Sequence, residues 1–161
     1  MRRLICSALS LLLLLSLLPG CSERSKEPVT FYYLRQNYQE NMDTLIASEV
    51  REVSGHRDDL KYLLSFYLMG PADKELCSPL PRGAVLYQLE QTDTELTIIL
   101  SDTSSTLSDG EFTLASACLS LTCMDLLPLE SVTVASGSRN RTIRRSDLIL
   151  TDSVKPEENA K

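Results

Sequence analysis

Residues 60–100 read LKYLLSFYLMGPADKELCSPLPRGAVLYQLEQTDTELTIIL, and this run sets the order helix, stop, loop, strand, strand. Leu60, Leu63, Leu64, Tyr67 and Leu68 recur at the spacing that gathers apolar side chains on one helical face. Gly70-Pro71 ends the helix, because glycine takes the left-handed cap and proline has no amide with which to continue the ladder. In the following loop, residues 72–83, Pro79 and Pro81 hold extended backbone and Gly83 permits the turn into a strand. Val85, Tyr87 and Leu89 then alternate with Leu86, Gln88 and Glu90, and Leu96, Ile98 and Leu100 alternate with Glu95, Thr97 and Ile99. A period of two gives each run a greasier face, so the segment reads as a helix packed on a hairpin.

Upstream, Val29, Phe31 and Tyr33 share one face of a strand, and residues 45–53 read as a second strand pairing back on it. Ser54 is the expected cap of the first helix, with Asp58 and Asp59 at the positive end of its dipole. Downstream, Ser108 and Glu111 form a capping box for a second helix running to about Leu126, which Pro128 terminates. Leu114, Ala115, Cys118, Leu119, Leu121 and Thr122 give it a broad, weakly polar surface suited to close packing on a sheet. Residues 129–135 form a further strand with Val132 and Val134 inward, Gly137 turns the chain, and a terminal strand follows. This order predicts an α+β domain, a mainly antiparallel sheet with two helices on one face.

The helix ending LLSFYLMGP, the loop closing in SPLPRGAVL, the acidic turn and the strand LTIILS leading to a second helix resemble the GerMN domain of bacterial surface lipoproteins involved in sporulation and spore germination. The resemblance covers roughly residues 29–137. It implies a GerMN fold, similar to the ring-building motifs that stack side by side in secretion machinery, and an association with envelope assemblies. Some relatives carry two copies of the domain; this chain carries one.

The chain begins with the basic Met1-Arg2-Arg3 and the apolar residues 4–18, a secretory leader too short to span a bilayer comfortably. Leu18-Pro19-Gly20-Cys21 resembles a bacterial lipobox, which implies lipidation of Cys21 and attachment to the extracytoplasmic face of the cell membrane. The expected organisation is a leader at 1–20, a polar tether at 21–28, a GerMN-like domain at 29–151 and a tail at 152–161. The tether is short, so the domain would stand only ~25 Å from the bilayer even when extended.

The formal charge of the 161 residues is −6, and loss of Arg2 and Arg3 with the leader makes the remainder two charges more negative. Nucleic-acid binding needs a positive stripe to displace counterions, so this class is set aside. Of five cysteines, Cys77, Cys118 and Cys123 lie in the domain; they read as buried apolar side chains, with a bridge from Cys77 to Cys118 or Cys123 as the alternative. His56, the only histidine, has no nucleophile in a recognisable frame, and its neighbours Asp58 and Asp59 are not spaced to share one ion. The expectation is therefore a chain with no catalytic residue, metal or cofactor. Its job would be to bind a protein partner or to assemble with itself in the envelope. Arg139, Arg141, Arg144 and Arg145 cluster on an otherwise acidic chain, either as a docking patch or as the charged guard of an edge strand. A second reading, binding of cell-wall glycan or a small ligand, would use Phe31, Tyr32, Tyr33 and Tyr38 as stacking platforms.

Overall fold

The computed structural model describes residues 27–37 and 45–148. The leader, Cys21, most of the tether, Tyr38, Ile149, Leu150 and the tail lie outside the described residues. The elements run β1 (Pro28–Arg35), β2 (Ile46–Glu52), α1 (Leu60–Leu68), β3 (Leu76–Cys77), β4 (Leu86–Gln91), β5 (Glu95–Leu100), α2 (Asp109–Leu126), β6 (Ser131–Ser136) and β7 (Arg139–Arg144). Short 3-10 turns at Asp102–Thr106 and Arg145–Asp147 complete them.

The α+β class is as expected, but the strands form two sheets where one was anticipated, a three-stranded β2-β1-β3 and a four-stranded β4-β5-β6-β7. All pairs are antiparallel except β5 and β6, which lie parallel because α2 carries the chain back between them. β1 and β2 pair from Pro28↔Glu52 to Leu34↔Ile46. β3 sits inside what the sequence presents as a loop, and its two residues add to β1 beside Leu34 and Arg35.

Val29, Phe31 and Tyr33 are buried beneath α1, together with Leu63, Leu64 and Tyr67 from the helix itself. α1 is capped by Asp59, whose carboxylate accepts from the Tyr62 amide at 2.9 Å, and not by Ser54. The reason is local: the chain spends residues 53–59 in two tight turns, with His56 N–H bonded to Val53 O and Asp59 N–H to His56 O. The capping box of α2 forms as its sequence predicts, with Ser108 N–H on Glu111 Oε2 and Glu111 N–H on Ser108 Oγ. These bonds hold the Glu111 carboxyl below the ordinary range.

α2 contacts β1 of one sheet and β6 and β7 of the other. It is covered on more than one side, which is why its buried positions include Ser116, Ser120 and Thr122 as well as Phe112, Ala115 and Leu119. Small side chains let both sheets approach closely. Leu96, Ile98, Leu100, Val132 and Val134 face this interior, joining both sheets and both helices in one core.

The expected face of β4 is reversed at its start. Tyr87 and Val85 are exposed, while Leu86 and Leu89 pack on the core. The register jumps from Leu86↔Leu100 to Gln88↔Ile99, a bulge that absorbs one residue and converts the period of two into a spacing of three.

One joint ties the layers together. Beyond the short β3, the outward edge of β1 is closed by side chains: the Tyr32 amide donates to Thr122 Oγ1 at 3.1 Å and the Tyr67 hydroxyl donates to Tyr32 O at 2.9 Å. The Tyr33 hydroxyl donates to Tyr67 O at 3.2 Å, and the Tyr33 and Tyr67 rings stack with centroids 4.6 Å apart. Each helix thus satisfies one backbone group that a longer neighbouring strand would have paired.

Candidate interaction surface

β7 is an edge strand, and the four arginines at its ends and middle have different situations. Arg139 donates to Leu107 O at 2.7 Å and Ser108 O at 3.2 Å, pairs with Asp109 at 2.8 Å, and lies over the Phe112 ring at 4.6 Å. It anchors the start of α2. Arg145 donates to Met124 O and Leu129 O at 2.9 Å and to Leu127 O at 3.4 Å, closing the carbonyls at the end of the same helix. A cation there also meets the negative end of the helix dipole. Arg141 and Arg144 are exposed. The structure therefore divides the sequence cluster into two clamps, one at each end of α2, and two surface cations.

The four-stranded sheet buries one face, and among the described residues no helix covers the other. On the open face, Glu90, Thr97, Thr133 and Thr142 stand in register across all four strands. The Thr133 and Thr142 hydroxyls bond at 2.8 Å. The adjacent row joins Gln88, Ile99, Ala135 and Asn140, and the next joins Glu95, Ser131 and Arg144. This grid, a threonine row flanked by mixed polar and apolar side chains, was not visible in the sequence, since a cross-strand row depends on register, and register depends on the β4 bulge and the parallel β5–β6 pair.

The remaining sequence candidates fall elsewhere. Phe31 and Tyr33 are fully buried and Tyr32 is half-buried, so the described members of the aromatic platform expected for a glycan do not form one, and Tyr38 lies outside the described residues. His56 stacks on Tyr62 with ring centroids 3.9 Å apart. The three domain cysteines are free thiols. Burial pushes Cys123 up to about 12 and raises Cys118 and Cys77 above their ordinary value, so none is poised as a thiolate. An open cleft of about 470 Å³ lies along the loop between Leu68 and Arg82, and another of about 480 Å³ beside Glu27, Gly55 and Asp59. Among the described residues, no helix is long and apolar enough to cross a membrane.

Among the described residues, two sheets and two helices around one core define a small α+β domain. No family model matches the chain, and no curated protein matches it by sequence. Among solved structures it is similar to the tandem GerMN domains of the sporulation protein GerM from Bacillus subtilis, with 18% identity and a TM-score of 0.54. That match covers 71% of this chain but 40% of the other, so the chain spans less than half of the tandem structure. A provisionally assigned lipoprotein from Clostridium perfringens aligns over 76% of this chain and 89% of its own, with 16% identity and a TM-score of 0.48, below the level at which a shared fold follows. The domain has a GerMN-like fold.

Proposed function

We propose that this chain is a lipoprotein, anchored through Cys21 to the extracytoplasmic face of the cell membrane, whose GerMN-like domain is a non-catalytic interaction or assembly module of the envelope. Its partner is another envelope protein or a second copy of itself, and its setting is sporulation or germination, a reading supported by the likeness to the domains of the sporulation protein GerM. The observation that carries this reading is the face of β4–β7 that no described helix covers, an array with the exposed Arg144 on its last strand, while the exposed Arg141 stands on the same edge strand toward the opposite face. A surface of this kind meets another surface, and cations at its rim steer an acidic partner. The lipobox supplies the address.

Arg141 and Arg144 allow a clean test because, unlike Arg139 and Arg145, they clamp neither end of α2. The doubly substituted chain Arg141→Glu, Arg144→Glu should keep its stability within about 0.5 kcal/mol, as surface changes do. It should also lose about tenfold of the protein captured by crosslinking in intact cells, read by mass spectrometry. Capture at the unaltered level by the folded variant would remove the basic edge from the interface.

A further inference from the structure

α1 carries a second apolar stripe at the margin of its buried face, in which the half-buried Phe66 packs against the core beside Phe31 while Tyr62 and Met69 project beyond it. Its buried side holds Leu63, Leu64 and Tyr67, yet Tyr62, Phe66 and Met69 follow one another at helical spacing along the margin. Met69 is 80% exposed and Tyr62 38%. The stripe is ordered as a stack: the His56 ring lies on Tyr62, the Tyr62 and Phe66 rings are parallel within 10° at 6.1 Å, and the Arg51 guanidinium covers Phe66 at 3.7 Å. Arg51 is held there by Gly70 O at 3.1 Å, and the exposed Arg57 and Lys61 flank the stack. Aromatic rings with polar edges, an exposed methionine and cations on alkyl stems are the side chains that settle where hydrocarbon meets headgroups.

The point where the chain enters the fold says what faces this stripe. Glu27 is fastened twice to the turn that leads into α1: its carbonyl accepts from the Val53 amide at 3.2 Å and its carboxylate from the Gly55 amide at 3.0 Å. Gly55 is the residue before His56, so the entry point lies beside the stack. Only residues 22–26 separate Glu27 from Cys21, a reach of about 20 Å when fully extended. A lipid on Cys21 would therefore hold the side of the domain around Glu27 within about 20 Å of the bilayer.

We propose that the Tyr62–Phe66–Met69 stripe is a membrane-contact surface, resting on the interface of the bilayer that holds Cys21. The proposal rests on the lipid-anchor reading given above. The tether supplies the high effective concentration that lets a small apolar contact count, and the contact orients the domain so that β4–β7 are free for a partner. Attraction is by the aromatic and apolar stripe, since the acidic body as a whole is repelled by anionic headgroups.

The chain contains no tryptophan, so each substitution to it is a unique reporter. Full-length chains carrying Tyr62→Trp, Met69→Trp or, as the off-stripe control, the 68% exposed Tyr87→Trp would be expressed with the leader, extracted from membranes and reconstituted into phosphatidylethanolamine–phosphatidylglycerol vesicles containing dibrominated phosphatidylcholine. Flotation and intact mass report the anchor separately from the contact. The expected result is blue-shifted emission quenched by brominated lipid for Tyr62→Trp and Met69→Trp, with Tyr87→Trp unquenched. A chain that floats with its acyl groups but shows no quenching at either stripe position, or equal quenching at position 87, overturns the contact while leaving the anchor intact. A chain without acyl mass that fails to float overturns the anchor and the contact with it. Emission that shifts with protein concentration in the absence of vesicles assigns the stripe to a second copy and overturns the proposal.

Discussion

Tyr67→Ala is expected to lose about 4–5 kcal/mol of stability, most of what a domain of this size possesses. The side chain is fully buried, stacks on Tyr33, and its hydroxyl is the donor that satisfies Tyr32 O. Alanine removes the ring, opens a cavity between α1 and β1, and leaves a buried carbonyl unpaired. Tyr67→Phe separates the two effects, since it keeps the ring and removes only the donor; its expected cost is about 1–3 kcal/mol. Urea denaturation followed by circular dichroism measures both. The Tyr67 phenol is raised well above its ordinary 10.0, chiefly by burial and then by Cys118, Tyr33 and Cys123. A folded-state value above the unfolded one means that the contribution is complete below pH 10.0 and declines as pH rises beyond it. The loss of stability above that pH should accordingly be shallower in Tyr67→Phe. An unchanged midpoint for Tyr67→Phe at neutral pH would show that the hydroxyl does not close the edge of β1.

The second large effect is expected at Gly137, in the turn between β6 and β7. Its φ is +58°, a region that β-branched residues adopt only under strain, and a Cβ there would collide with the Asp102 carboxylate. Gly137→Val should cost about 3 kcal/mol or more, combining backbone strain with the clash. Gly137→Ala tests the collision separately. Removing the carboxylate in the Gly137→Ala, Asp102→Ala double variant should return part of the loss, giving a coupling of about 1 kcal/mol in a double-mutant cycle. Additive losses would mean that Asp102 moves aside without cost and that φ alone demands glycine.

Much of this architecture was legible along the chain because local rules agreed with the final packing. The Ser108–Glu111 capping box, the Gly70-Pro71 stop, the inward Val132 and Val134 and the Gly137 turn each depend on residues a few positions apart. What was not legible depends on partners distant in sequence. β3 is two residues long and exists because Leu34 and Arg35 offer it an edge. The β4 bulge fits the whole of Leu86–Gln91 against Leu96 to Leu100 of β5 and cannot be read from alternation. The split into two sheets follows from α2, whose small buried side chains admit a sheet on more than one side.

The surface divided in the same way. The arginine cluster was conspicuous as composition, but only the fold distinguishes Arg139 and Arg145, committed to the ends of α2, from Arg141 and Arg144. The aromatic residues of β1, attractive as a platform when read as a strand face, are the ones the core needs most. Among the described residues the exposed tyrosines are Tyr62 and Tyr87, and neither stood out, because one lies in a helix whose periodicity marks its apolar side chains for burial and the other is turned outward by the bulge.

In the proposed arrangement a lipid on Cys21 holds the domain beside the outer face of the membrane. The most direct test is the intact mass of the full chain recovered from the membrane fraction, beside a Cys21→Ser variant in the same cells. The expected result is a chain that begins at Cys21 and carries at least two acyl groups, and a variant without that mass. An unacylated chain with residues 1–20 still attached, or identical masses for both proteins at residue 21, would contradict it.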